Sequence, residues 1–256
     1  DAELEQLAQG FEASARRGDP QALARLYLLT NVGELLDRRG RVPRAIEAAR
    51  AGSALDPLAR DHLELAWAEV LLARGDVDGA EAAYARLGLV REAQLIGPFD
   101  NAAGVGHAEP YGPEKSLDLR APVPGRDRPL VWRSTADAAR LGALPLGQLV
   151  QPAADATAYV LVAVHAERET KAALRTGSSD ALKAWLAGRL VLDVAHERRA
   201  ELDQDAVAVT LPAGWSTLLV KVSWTGRSGR AFVRLTAPGG GAALGVRTSA
   251  AVADLE

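Results

Sequence analysis

The chain has no cysteine and no methionine among its 256 residues, and only 5% of them are aromatic. Without cysteine, disulfides, thiolate metal sites and cysteine nucleophiles are excluded together. The same absence leaves the redox compartment open. Without methionine the chain does not begin at an initiator, and no charged-then-apolar leader opens it, so it is expected to be part of a longer polypeptide. Long apolar runs are also missing. Ala158 to Val164 is among the longest, far short of the roughly 20 residues that a membrane-spanning helix needs. Nor is there an excess of charge: 30 Lys and Arg against 33 Asp and Glu leave −3. General nucleic-acid binding works by releasing counterions to a basic surface, so that function class is excluded. What is present, 48% hydrophobic and 25% charged residues, is the composition of an ordinary globular protein. The length suits one to two domains with cores of their own.

Residues 1 to about 92 are rich in Ala, Leu, Glu and Arg, which are good helix formers. Leu4, Leu7 and Phe11 recur at helical spacing. Asp19-Pro20 and Asp56-Pro57 place a capping carboxylate before a proline at the first helical position, and Asp76 is a further cap. The segment Arg39-Gly40-Arg41-Val42, with Ala45 and Ala48, aligns with Arg74-Gly75-Asp76-Val77, Ala80 and Ala83, 35 residues further on. The first copy reads Leu29-x2-Val32-Gly33-x2-Leu36, then Ala45 and Pro57. The second reads Trp67-Ala68-x2-Leu71, then Ala80-x3-Tyr84, with Glu92 where a proline belongs. The segment resembles one complete and one degenerate tetratricopeptide repeat, in which Gly33 and Ala45 mark a close helix crossing. A plain bundle of helical hairpins remains the alternative. Two repeats make little groove, so the resemblance implies packing rather than peptide capture.

After residue 92, short runs of Val, Leu, Thr and Trp are broken by Gly, Pro and Asp. Strands are predicted near 93–97, 129–133, 158–166, 170–176, 181–187, 189–193, 206–211, 216–224 and 230–236. Leu218, Val220, Val222 and Trp224 alternate with Thr217, Leu219, Lys221 and Ser223, the period of a two-faced strand. Ala187-Gly188 reads as a tight hairpin turn. The expected architecture is α+β and multidomain: helical hairpins over 1–92, an antiparallel β-sandwich over 93–238, and a linker or the start of a further segment over 239–256. Gly239-Gly240-Gly241 opens that linker.

The run Gly177-Ser178-Ser179-Asp180-Ala181-Leu182-Lys183-Ala184-Trp185-Leu186-Ala187-Gly188-Arg189-Leu190-Val191 resembles the signature hairpin of galactose-binding-like jelly rolls. So do the stretch from Leu211 to Val222, Leu95-Ile96-Gly97-Pro98-Phe99 and Tyr111-Gly112-Pro113-Glu114. The resemblance covers residues 93–237, and its motifs are structural. Similar jelly rolls joined to tetratricopeptide-like helices occur in large bacterial envelope proteins, some with transglutaminase-like domains. The resemblance therefore implies a periplasmic, cell-envelope or secreted location. Its sugar-binding members use loops at one end of the sandwich, sometimes with calcium. Here Ser179-Asp180 and Ala187-Gly188 lack one carboxylate and the polar hairpin residue, so no metal is expected at that turn.

No residue set meets the requirements of catalysis. His62, His107, His165 and His196 lack metal-ligand spacing. Asp203 and Asp205, with Asp193, Glu197 and Glu201 nearby, read as solvated loop acids. Gly104-Val105-Gly106 lacks the flanking strand and helix of a phosphate loop. Trp185 and Trp215 belong to the structural motifs and are assigned to the core. Tyr111 and Trp132 are expected near loops and exposed. Asp180, Arg189, His196 and Arg198, with Arg199, form a polar rim around the hairpin and the loop beyond it. The predicted ligand-binding set is Tyr111, Trp132, Asp180, Arg189, His196 and Arg198, with no catalytic residue, metal or cofactor. The predicted function is a non-catalytic module binding a glycan or a protein partner, with a ligand-free spacer or a carbohydrate-active hydrolase as alternatives.

Overall fold

The computed structural model describes residues 2–37, 39–52, 54–136 and 138–255. The chain divides into two compact units, Asp1–Gly88 with Gly239–Ala242, and Leu89–Pro238 with Ala243–Glu256. The first is helical: α1 Ala2–Arg17, α2 Ala22–Leu36, α3 Arg41–Ala51, α4 Pro57–Ala73 and α5 Val77–Arg86. Its core joins Leu4, Ala8, Phe11, Leu26, Leu29, Ala45, Ile46 and Leu63. Asp56 caps α4 by accepting from Ala59 N at 3.0 Å, and Asp76 caps α5 through Gly79 N at 2.9 Å. Asp19 instead closes a turn onto Gln21 N (2.8 Å), one step before α2 begins. A cap that the spacing did not reveal is Asp37, which accepts from Arg41 N at 2.9 Å and Val42 N at 2.8 Å.

Gly33 sits where α2 crosses α3. A Cβ there would lie 2.4 Å from Val42 Cγ2, so only glycine allows this approach. Ala45 is fully buried. Leu36, the last position of the first repeat pattern, has its side chain outside the described residues. Arg41 ties α3 to α1 through Glu5 Oε2 at 2.6 Å and Glu12 Oε1 at 2.7 Å. The glycine run expected as a free linker packs instead: Gly241 N donates to Asp61 Oδ2 at 2.9 Å, and a Cβ on Gly240 would meet Leu58 N at 2.6 Å.

The second unit is an antiparallel sandwich. Its strands are β1 Gln94–Asp100, β2 Val123–Pro124, β3 Pro129–Leu130, β4 Arg133–Ser134, β5 Ala156–Ala166, β6 Thr170–Ser178, β7 Ala181–Leu186, β8 Arg189–Val194, β9 Asp205–Leu211, β10 Gly214–Trp224, β11 Ala231–Thr236 and β12 Val246–Ser249. The larger sheet runs β4-β1-β5-β10-β7-β8, with β12 also pairing β5. The smaller runs β11-β6-β9, and β2-β3 form a separate ribbon. The stretch expected as a linker after 238 thus supplies a strand, with Val246 opposite Ala166. The strand expected over 129–133 is reduced to the pairs at Pro129–Leu130 and Arg133–Ser134.

Between the sheets lies a core of Val160, Val162, Val164, Leu174, Leu182, Leu218, Val220, Val222, Trp224 and Val233. It takes one face of each alternating strand, as the period of β10 predicts. The opposite face of the larger sheet is also covered. Ile96, Tyr159, Leu161 and Leu219 pack there with Phe99, Leu130 and Trp132, beneath the connection from β1 to β4.

Loop 195–204 is pressed against β6. A Cβ on Gly177 would lie 1.6 Å from the Glu201 carbonyl oxygen, so backbone meets backbone at this point. Gly177→Ala is expected to destabilise the sandwich by about 1–3 kcal/mol, the range for overpacking, measured as a lower urea midpoint at unchanged slope.

Candidate functional site

The register aligns Asp100 with Ala156, Ala156 with Trp224, and Ser223 with Ala181. The chain segments that leave these positions therefore gather at one end of the sandwich. They are 101–108 after β1, the β6–β7 turn at 179–180, the start of the β8–β9 loop, and 225–230 after β10. Asp180 joins three of them. Its carboxylate accepts from Arg198 N (3.1 Å), Thr225 N (3.0 Å) and Thr225 Oγ1 (3.2 Å), while its own N–H donates to Arg198 O at 3.0 Å. The residue takes a left-handed conformation, φ 57°, which aspartate tolerates better than most side chains.

Further bonds fix the same floor. Ser179 N donates to Arg230 O at 2.9 Å, and Ser179 Oγ accepts from Arg230 N at 3.1 Å. Asn101 Nδ2 donates to Trp224 O at 3.0 Å, and Asn101 Oδ1 accepts from Gly106 N at 2.9 Å. The Arg198 guanidinium is held by Asp205, with an Nη1–Oδ1 distance of 3.0 Å. Its Nε is buried with no hydrogen-bond partner.

Two open clefts stand on this floor and share Asp180 and Thr225. The larger, about 490 Å³, is lined by Ser179, Arg198, Arg199 and Arg230 among others. The smaller, about 250 Å³, takes in Asn101, His107, His196 and Glu197. Among the described residues, no three His, Asp or Glu side chains are grouped so as to hold a metal ion. No helix among them is long and apolar enough to cross a membrane.

A second polar cluster lies under the covered outer face of the larger sheet. Lys221, 0% exposed on β10, uses all three of its donors. They reach Glu109 O at 2.6 Å, Glu114 Oε1 at 2.7 Å and His107 O at 3.2 Å. The Tyr159 hydroxyl donates to the same Glu114 oxygen. Burial pushes the lysine below its ordinary range, with Glu114 opposing, and it pushes the Tyr159 hydroxyl up. At the edge of this cluster His107 Nε2 meets Asp193 Oδ1 at 2.8 Å, and Lys183 Nζ lies 3.5 Å from Asp193 Oδ2. Burial holds His107 below the usual imidazole range, the hydrogen bond to Asp193 offsetting only part of that effect.

Of the six residues predicted from sequence, Asp180, His196 and Arg198 come together at the loop end. Arg189 lies at the opposite end, after the Ala187-Gly188 turn. Tyr111 and Trp132, expected to be exposed, belong instead to the apolar layer on the outer face. Tyr111 stacks on Phe99 with ring centroids 4.7 Å apart and donates to Asp100 O, and Trp132 is 9% exposed. Trp215, assigned to the core, is 38% exposed and rests against His165 and Arg247. Of the loop acids expected as solvated, Asp193, Glu197 and Glu201 are exposed, but Asp203 and Asp205 are not. Asp203 is paired with Arg234, which is 1% exposed, and Asp205 with Arg198. Arg230 and Thr225 were missed, because nothing in a Thr-Gly-Arg-Ser-Gly-Arg loop announces which residue faces a cleft.

No protein-family model and no curated protein matches the chain. Among solved structures it is similar to an anti-sigma factor domain-containing protein, at 11% identity and TM-score 0.29 over 38% of this chain and 32% of that one. A family 35 carbohydrate binding module from an environmental isolate aligns at 15% identity and TM-score 0.27, over 39% of this chain and 74% of that one. A glycosyl hydrolase family 2 member from Bacteroides cellulosilyticus aligns at 15% identity and TM-score 0.35, over 60% and 21%. The chain thus spans about a third of the first of these proteins and a fifth of the last. These are distant likenesses.

Removing the lysine from the buried cluster leaves two carbonyls without that donor and Glu114 without its cation, the Tyr159 hydroxyl still donating to it. Lys221→Met is expected to cost about 3–5 kcal/mol in chemical denaturation, and adding Glu114→Leu to recover part of that loss. His107 sets a pH dependence. Its folded-state pKa lies below the unfolded value near 6.5, so between the two values the unfolded chain binds the extra proton. Stability is complete above about pH 6.5 and declines as pH falls from there. Denaturation midpoints between pH 7 and 5 are expected to fall less steeply for His107→Gln than for the parent.

Proposed function

We propose that the chain is a non-catalytic binding module that takes a glycan at the loop end of its sandwich, within a larger bacterial envelope protein. The observation that carries this reading is the pair of open clefts over one hydrogen-bonded floor. Their volumes, about 490 and 250 Å³, are near the range of small-ligand sites, roughly 300–1,000 Å³. The floor is fixed by side chains bonding to backbone, so a ligand meets groups already in place and pays little ordering cost. Of the two acids that line the clefts, Asp180 is engaged in three hydrogen bonds, which leaves Glu197 as a single carboxylate. Glycoside hydrolysis needs two opposed carboxylates free to act as acid and as base or nucleophile. That supports binding without turnover.

The helical unit fits tetratricopeptide-like hairpins, supported by the Gly33–Val42 approach and the buried Ala45. A second reading, a protein partner at the opposite end, is favoured by Leu190 and Trp215, which are exposed there.

Thermal denaturation against neutral and acidic oligosaccharides tests the glycan reading. One saccharide class is expected to raise the melting temperature by mass action. Gly226→Trp, placed where a Cβ meets open space, is expected to keep the fold and abolish the shift. No shift with any saccharide transfers the function to a protein partner.

A further inference from the structure

The larger cleft has an uneven charge balance that its lining composition alone does not show. It has one carboxylate, Asp180, and three guanidinium groups, Arg198, Arg199 and Arg230. Both Asp180 oxygens are already occupied by donors from Arg198 and Thr225. The Arg198 charge is answered by Asp205 and its Nη2 reaches Ser178 Oγ at 3.3 Å. That leaves Arg199 and Arg230, both exposed, and among the described residues neither meets a carboxylate. Their backbones are nevertheless pinned. Gln204 Nε2 donates to Arg199 O at 2.6 Å, and Arg230 exchanges two bonds with Ser179. Two cationic forks on fixed stems therefore face one cleft whose single carboxylate, Asp180, has both oxygens turned to the backbone and to Thr225.

We propose that this cleft binds an acidic saccharide, with the sugar carboxylate held by Arg199 and Arg230. The inference rests on the glycan reading above and adds to it the charge of the ligand. A guanidinium donates two parallel hydrogen bonds to a carboxylate, and such charge-assisted bonds are stronger than those between neutral groups. The cavity has room for the ring that carries the carboxylate. The neighbouring Thr225-Gly226 and Ser228 stretch offers small residues against which a sugar face approaches closely. Arg198 does not grip the ligand directly. It positions the loop that carries Arg199.

Isothermal titration of the full chain with oligogalacturonate and oligomannuronate, each against its methyl ester, tests the proposal. Esterification keeps the sugar and removes the charge. At least one free acid is expected to bind, and its methyl ester to bind at least about tenfold more weakly. Added salt is expected to weaken the free acid and leave the ester unchanged. Arg199→Ala/Arg230→Ala is expected to lose at least as much affinity, and the double lysine variant to retain part of it. Both positions are exposed, and an unchanged melting temperature confirms that the variants fold. Equal binding of acid and ester, or binding that survives the double alanine variant, overturns the proposal and leaves the glycan reading standing. Failure of every saccharide, neutral or acidic, overturns both. Polyglutamate binding as tightly as the oligouronates also overturns it, since the cleft then reads charge and not sugar.

Discussion

Everything in the sandwich hangs on one pair of strands. β5 and β10 run antiparallel through eleven residues each, from Ala166 opposite Gly214 to Ala156 opposite Trp224. Their inner faces build the core between the sheets, and their outer faces are sealed by the connection from β1 to β4. A strand pair enclosed on both sides tolerates no slip in register, because a slip of one residue exchanges the two faces. The loop end inherits that fixity. Asp100, Ala181 and Trp224, where the loop segments begin, are placed by the pairing itself.

The sealing of the outer face explains much of what the sequence concealed. Alternation along β10 correctly assigns Leu218, Val220, Val222 and Trp224 to the inner core. The same alternation marks Leu219, Lys221 and Ser223 as the other face, and a lysine in that series reads as solvent-facing. It is instead the anchor of the covering segment, held by Glu114 and two carbonyls over a hundred residues away in the chain. Trp132 is buried and Tyr111 half-buried within the same cover, while Trp215 falls beyond its reach. Local signals fared better. Asp56 and Asp76 cap their helices because a cap needs only the next three residues, and the Ala187-Gly188 turn has both residues at positive φ, 48° and 75°.

The candidate site divides along the same line. Asp180, His196 and Arg198 were legible as polar residues near a hairpin, and the structure gathers them. Their work was not legible. Asp180 and Arg198 spend their charge on the backbone of neighbouring loops and on Asp205, which is the opposite of a group kept free for a ligand. Arg230 belongs to a loop with no periodicity to read, and only the bonds between Ser179 and its backbone reveal where it points the chain.

Those backbone-directed bonds have an evolutionary consequence. Arg199 and Arg230 are held through their main-chain atoms, so exchanging their side chains leaves the framework bonds intact. The fold and the chemical character of its cleft can therefore drift independently. Descendants of one scaffold can change what they recognise in a few substitutions without first acquiring spare stability, a freedom denied to sites whose recognition groups also hold the loops together.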